Sequence, residues 1–117
     1  MINKNIEIVL DENLQNEVDQ IIQIFEKRRP LRFFGNMDKP EDFQNIISNT
    51  SFEVNKLYKQ ENKLFAEIYI FDDTNNGKIL LSVFDSVEFK ILVNGFSINK
   101  EIIIKKILSI YATIKDQ

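Results

Sequence analysis

Two runs of alternating apolar residues constrain the fold of this chain most strongly. In LFAEIYIF (residues 64–71) and VEFKILV (residues 87–93), apolar side chains occupy every second position. Successive side chains of a strand point to opposite faces, so both runs predict β-strands with a buried face. Both faces of the first run are mostly apolar, which predicts a central strand covered on both sides. Asn94-Gly95, at the end of the second run, predicts a tight turn.

A helical pattern lies nearer the N-terminus. We expect a helix from about Asp11 that is stopped by Pro30, because its apolar residues recur on one face. That face consists of Leu14, Val18, Ile21, Ile22 and Phe25. Asp38 and Pro40 predict a second, short helix that runs through Phe43, Ile46 and Ile47.

A further helix is expected after the loop DDTNNG (residues 72–77). Asn75 or Asn76 is the expected cap, and the predicted buried stripe is Ile79, Leu80, Val83 and Phe84. The loop offers oxygen donors without the spaced acidic pattern of a calcium loop, so we interpret it as a solvated turn. NNGK (residues 75–78) lacks the upstream glycine and the Ser or Thr of a phosphate-binding loop.

The remaining apolar runs predict further strands. These are residues 6–10, residues 31–35, and a hairpin of residues 52–60 with residues 64–71. EIIIKKILSIYATI (residues 101–114) fits either a helix or a strand, and its many β-branched residues favour a strand. Together these elements predict a single α+β domain over residues 1–117. It would be a compact, mostly antiparallel sheet or small open barrel with two or three helices.

Residue types that are missing from the sequence exclude several kinds of chemistry. The chain has 117 residues, a net charge of −3, no Cys and no His. Disulfides, zinc–thiolate sites, cysteine nucleophiles and Ser-His arrangements are therefore excluded. We expect no metal site and no cofactor, and the acidic balance argues against nucleic acid as a partner. No run resembles a signal peptide or a membrane span, so we expect a protein that is not secreted and has no membrane partner.

Residues 31–114 resemble, in order and spacing, the prohead (capsid maturation) protease family of tailed phages, whose fold is related to that of herpesvirus assemblin. LRFFGNMDKP resembles the segment that ends in the catalytic His, and LFAEIYIFDDTNNGKILLSVF resembles the following strand, loop and helix. VEFKILVNG resembles the serine-bearing strand, and EIIIKKILSIYATI resembles the final strand pair.

This resemblance implies a catalytically inactive relative of the proteases. Met37 would occupy the His position, and Leu92 and Val93 would occupy the serine positions. Asn94 would replace the Arg of the family turn, whereas Gly95 is kept. A serine without a base is a poor nucleophile, so we expect no enzyme activity.

The function implied by the resemblance is that of a non-catalytic viral structural or assembly protein that binds capsid or other head proteins. It would occupy the host cytoplasm and then the virion, and it could form a homo-oligomer. Candidate partner-binding residues are Lys27, Arg28, Arg29, Phe33, Phe34, Leu92 and Phe96. One alternative is a small soluble interaction or inhibitor protein, viral or bacterial. Another is an enzyme that uses only the carboxylates of Asp72, Asp73 or Asp85, which no paired carboxylate motif supports.

Overall fold

The computed structural model describes residues 2–28, 31–37 and 50–115. These residues form six strands and two α-helices. In chain order the elements are β1 (Ile2–Ile8), α1 (Val18–Lys27), β2 (Phe33–Met37), β3 (Thr50–Gln60), β4 (Lys63–Ile70), α2 (Asn75–Ser82), β5 (Val87–Ile98) and β6 (Glu101–Ile114). Two single-turn 3₁₀ helices, Glu12–Leu14 and Phe84–Ser86, precede α1 and β5 respectively.

The six strands form a closed barrel in the order β1-β4-β3-β2-β6-β5. The β2–β6 and β5–β1 contacts are parallel, and the other four are antiparallel. Strands hold 57% of the described residues and helices 24%, so the fold is predominantly β. The predicted α+β class with an open sheet or open barrel is therefore wrong. The two parallel contacts that close the barrel are very short and join strands distant in sequence, which no local pattern encodes.

The barrel interior is filled by the inward side of each strand. Strand β4 illustrates this, because its inward side chains Leu64, Ala66, Ile68 and Ile70 have no exposed surface. Burying one leucine or isoleucine side chain in this way stabilises the fold by about 1.5–3 kcal/mol. β4 pairs with β1 and β3, but every strand of a closed barrel has two neighbours, and the predicted covering of both faces is not met on the outer side. Its outer face is only half-buried, with Phe65 stacked on Tyr58 of β3 at 5.7 Å between ring centroids.

Helix α1 lies beside the short strand β2. It contacts β3 and β6, the two strands that flank β2 in the barrel. Asp19 of α1 forms an ion pair with Lys59 of β3 (3.3 Å), and Gln20 bonds to the β6 backbone. The helix therefore bridges the barrel wall where β2 does not reach. The predicted apolar face is confirmed, although Leu14 belongs to the preceding 3₁₀ turn and the α-helix itself begins at Val18.

Helix α2 packs against β2, β3 and β4. Its cap is Thr74, whose Oγ1 accepts a hydrogen bond from Gly77 N (3.0 Å), and not Asn75 or Asn76 as predicted. Leu80 is fully buried, whereas Ile79 of the predicted stripe is 52% exposed. The helix predicted through residues 38–47 lies outside the described residues.

The C-terminal segment is a strand, as its β-branched content favoured. Within residues 2–28, 31–37 and 50–115, no helix has the length and hydropathy that a membrane span requires.

Candidate protein-binding surface

The hairpin of β5 and β6 is the most exposed part of the barrel strands. Its turn is formed by Asn99 and Lys100, which both have positive φ angles of 51° and 69°. The turn predicted at Asn94-Gly95 is wrong, because β5 continues through both residues and the register shifts there in a bulge. A Cβ on Gly95 would lie 2.3 Å from the backbone oxygen of Ile103. The glycine therefore permits a close approach of two backbones rather than a turn.

One face of this hairpin carries an exposed apolar cluster. Phe96 lies opposite Ile103 in the register, so both side chains share a face, and Ile98 follows two positions after Phe96. Their exposed fractions are 41% for Phe96, 50% for Ile98 and 38% for Ile103. We call these three residues the hairpin patch. Clustered apolar groups on a protein surface mark interaction sites more often than scattered ones do.

The opposite face of the hairpin packs on the body of the protein. Ile104 is buried, and Ile102 packs against the core. The Gln20 side chain holds this strand by its edge: Nε2 donates to the Ile102 carbonyl (3.0 Å), and Oε1 accepts from the Ile104 amide. These are the two backbone groups to which an adjacent strand would bond. At this point of the outer edge of β6, a side chain therefore takes the place of a neighbouring strand.

Within residues 2–28, 31–37 and 50–115, the outer edge of β5 pairs with another strand only near Phe89. β1 meets β5 at one parallel pair, Ile8 with Phe89, next to a hydrogen bond from Val9 N to Phe89 O (2.8 Å). No strand among the described residues pairs with that edge over residues 90–98. Unpaired strand edges present backbone donors and acceptors to which another chain can add a strand.

The hairpin is locally basic within an acidic chain. Residues 94–106 contain three lysines and one glutamate, a net charge of +2, whereas the whole chain carries −3. The Lys105 ammonium lies 5.1 Å from the centroid of the Phe96 ring, which is a cation–π distance. Basic groups around an apolar patch favour partners that combine acidic and apolar residues.

The positions that resemble the protease catalytic residues lie on separate strands. Met37 of β2 pairs with Ala112 of β6, and Ala112 pairs with Phe89 of β5. Leu92 lies three residues beyond Phe89, so its Cα is about 14 Å from that of Met37, from about 4.8 Å per strand and about 3.3 Å per residue. Met37 and Val93 pack against the core. By this estimate Met37 and Leu92 do not lie side by side, and the match of these residues to catalytic positions stays a prediction.

The candidate binding residues near β2 are mostly covered. Phe33 is 4% exposed, so it lies in the core, where its ring centroid is 6.0 Å from that of Phe25. Phe34 lies on the outer face, covered by Phe71 at 6.1 Å between centroids and by the Arg32 guanidinium at 4.8 Å. Both rings therefore have internal neighbours.

The other candidates differ in their exposure. Lys27 is exposed, Arg28 and Leu92 are half-buried, and Arg29 lies outside the described residues. Phe96 is the predicted residue that falls in the hairpin patch. Sequence reasoning missed Ile98 and Ile103 because it ended the strand at Asn94-Gly95. Continued alternation beyond that dipeptide was the signal that could have found them.

The carboxylates considered for catalysis or metal binding form no common site. Asp72, Asp73 and Asp85 are all exposed. Within the described ranges, no three Asp or Glu side chains are grouped so that they could hold a metal ion.

Comparison with known proteins gives a likeness in fold. No protein-family model matches the chain, and no curated protein matches its sequence. Among solved structures, the chain is similar to the bacteriophage T4 capsid assembly protease, gp21, with a TM-score of 0.56 and 10% sequence identity. The match covers 94% of this chain and 73% of the T4 chain. The expected relationship in fold to a phage capsid protease is therefore confirmed, and at this identity the likeness concerns the fold alone.

Proposed function

We propose that this chain is a non-catalytic component of phage head assembly that binds a capsid or other head protein through the β5–β6 hairpin. The similarity in fold to a capsid assembly protease supports a role in head assembly. The observation that carries the binding role is the combination, on one hairpin, of an exposed apolar patch and an unpaired strand edge.

The absence of histidine from the sequence supports a role without catalysis. Peptide hydrolysis by a serine needs a base that accepts the hydroxyl proton. Ser109, which lies opposite Leu92 in the register, is 4% exposed and is therefore poorly accessible to a peptide. The hydroxyl of Ser82 donates to the Ile79 carbonyl (2.7 Å) within α2. Neither serine has the surroundings of an activated nucleophile.

In the proposed mode of binding, an extended segment of the head protein adds a strand to β5. Hydrogen bonds from its backbone to residues 90–98 supply affinity without depending on sequence. Selectivity comes from alternate apolar side chains that pack on the hairpin patch, Phe96, Ile98 and Ile103. Lys100, Lys105 and Lys106 favour acidic neighbours in the bound segment. A fold similar to that of a protease would thus bind a protein segment without cleaving it.

The test is the number of copies of the chain on purified heads of the virus that encodes it. Tagged wild-type protein is expressed during head assembly, the heads are purified, and bound protein is counted by quantitative mass spectrometry. We expect binding by the wild type and its loss in Ile98→Asp. Ile79→Asp is a matched control, because Ile79 is also an isoleucine, is 52% exposed against 50% for Ile98, and lies on α2.

Retention of Ile98→Asp on heads at the wild-type level would contradict binding through the hairpin. A folded wild-type protein that is absent from heads would contradict the assembly role. In that case, capture of one host protein that is lost in Ile98→Asp would support the alternative of an interaction or inhibitor protein.

A further inference from the structure

A basic cleft of about 220 Å³ opens between the start of β2 and the middle of β6. It is lined by Arg28, residues 32–34 and residues 106–108. The cleft exists because β2 and β6 pair only near Asn36–Tyr111 and Met37–Ala112. Towards the start of β2 the two strands are unpaired with each other, and side chains line the space between them.

Arg28 brings an unused hydrogen-bond donor to this cleft. Its Nε is buried and has no hydrogen-bond partner among the described residues. The guanidinium lies over the Phe33 ring, 4.4 Å from the centroid, so the ring supports one of its faces. Burial lowers the pKa of Arg28, which indicates that its charge is partly desolvated. A buried cationic donor without an acceptor favours binding of an anion.

The two other cations of the cleft differ in their partners. Arg32 is held by Glu53 through two hydrogen bonds, from Nε (2.8 Å) and Nη2 (2.7 Å), and this contact raises the pKa of Arg32. Lys106 is exposed and has no ion pair with any described residue. Three cations therefore line the cleft, and the carboxylate of Glu53, which pairs with Arg32, lies beside it, so an excess of positive charge remains.

We propose that this cleft binds a carboxylate group of a protein partner, next to an apolar side chain of that partner. A guanidinium binds a carboxylate through its charge and its N–H groups. Arg28 is half-buried and its Nε–H has no acceptor among the described residues, so a carboxylate in the cleft would offset its partly desolvated charge. Glu53 already contributes one negative charge, so a singly charged carboxylate is repelled less than a doubly charged phosphate. The half-buried side chains of Phe34 and Leu108, which line the cleft, suit an apolar neighbour.

The proposal deepens the proposed function and rests on it for the identity of the partner as a protein. Lys106 pairs with Asn94 in the register, so the cleft lies at the base of the hairpin. A segment that pairs with β5 and a carboxylate in the cleft would thus engage neighbouring parts of the protein. The cleft can be tested without the partner, which keeps the two proposals separable.

The test uses a pair of small peptides and the side-chain ¹⁵Nε–¹Hε resonance of Arg28, assigned with Arg28→Lys. N-acetyl-Glu-Phe-amide is titrated into the full chain, with N-acetyl-Gln-Phe-amide as the uncharged match and inorganic phosphate at equal ionic strength. We expect the Glu peptide to shift the Arg28 resonance saturably. Arg28→Gln should weaken its binding by at least about tenfold. Lys63→Gln, which removes an exposed lysine outside the cleft, should leave it unchanged.

Several results would overturn the carboxylate site. These are equal binding of the Gln peptide, tighter binding of phosphate than of the Glu peptide, or no saturable shift at millimolar peptide. Since Arg28→Gln could disturb the packing on Phe33, Lys106→Gln serves as a second variant at an exposed position. Lys106→Gln should weaken binding of the Glu peptide as well, and unchanged binding would contradict the role of Lys106. Ile98→Asp should still bind the Glu peptide but should no longer bind to heads. Failure of one proposal is therefore distinguishable from failure of the other.

Discussion

The side chain of Gln20 should stabilise the contact between helix α1 and strand β6 of the hairpin. Gln20→Ala removes the donor to the Ile102 carbonyl and the acceptor for the Ile104 amide. Each of these part-buried hydrogen bonds contributes about 0.5–1.5 kcal/mol, so the free energy of unfolding should fall by about 1–3 kcal/mol. For a chain of this size, about 1 kcal/mol corresponds to a change in Tm of roughly 3–6 °C.

Two measurements check this expectation. Urea unfolding gives the change in stability, and amide hydrogen exchange reports on the edge of β6 itself. The Ile104 amide should exchange faster in Gln20→Ala, because it loses its acceptor, whereas the amides of β4 should be affected only by the global change. Gln20→Glu should be at least as destabilising as Gln20→Ala, since the new carboxylate cannot donate to Ile102 and would repel both that carbonyl and the nearby Glu17 carboxylate.

Gln23→Ala is the matched control, because Gln23 is exposed in the same helix. It removes the same side chain and should change stability by less than about 0.5 kcal/mol. The reasoning would be refuted if Gln20→Ala were no more destabilising than Gln23→Ala and left the exchange of Ile104 unchanged. A loss of stability without faster exchange at Ile104 would place the effect elsewhere in α1.

Three further outcomes are expected. Thr74→Ala should lower the free energy of unfolding by about 1 kcal/mol, because the cap of α2 is lost, and Asn75→Ala should cost less, as urea titrations of both will show. Gly77→Ala should destabilise by about 1–3 kcal/mol or more in the same assay, because its Cβ would lie 1.5 Å from the Phe71 carbonyl oxygen; stability equal to wild type would contradict this close packing. Unfolded capsid protein incubated with wild type should remain intact by mass spectrometry, and cleavage that disappears in Ser109→Ala would contradict a non-catalytic role.

Local patterns were sufficient to predict many of the elements. The alternation in residues 64–71 identified β4, and the spacing of Val18, Ile21 and Phe25 identified α1, because one-sided burial produces a period in the sequence. Closure of the barrel was not predictable in this way. It depends on short parallel contacts such as Ile8 with Phe89, which leave no periodic signal.

The error at Asn94-Gly95 has a physical origin. This dipeptide is typical of hairpin turns, but here the glycine serves a bulge in which the Ile103 carbonyl approaches too closely for any side chain. The actual turn at Asn99-Lys100 has a weaker signal, since lysine rarely adopts a positive φ. Because β5 was predicted to end too early, half of the hairpin and most of the hairpin patch were not predicted.

The account of binding is tested most directly by hydrogen–deuterium exchange of the wild-type chain with and without the purified head protein it binds. Addition of a strand to the open edge predicts slower exchange of backbone amides within residues 90–98, while those of β1 (Ile2–Ile8) are unchanged. Protection confined to α2 or to β1, with residues 90–98 exchanging as in the free protein, would contradict binding through the hairpin.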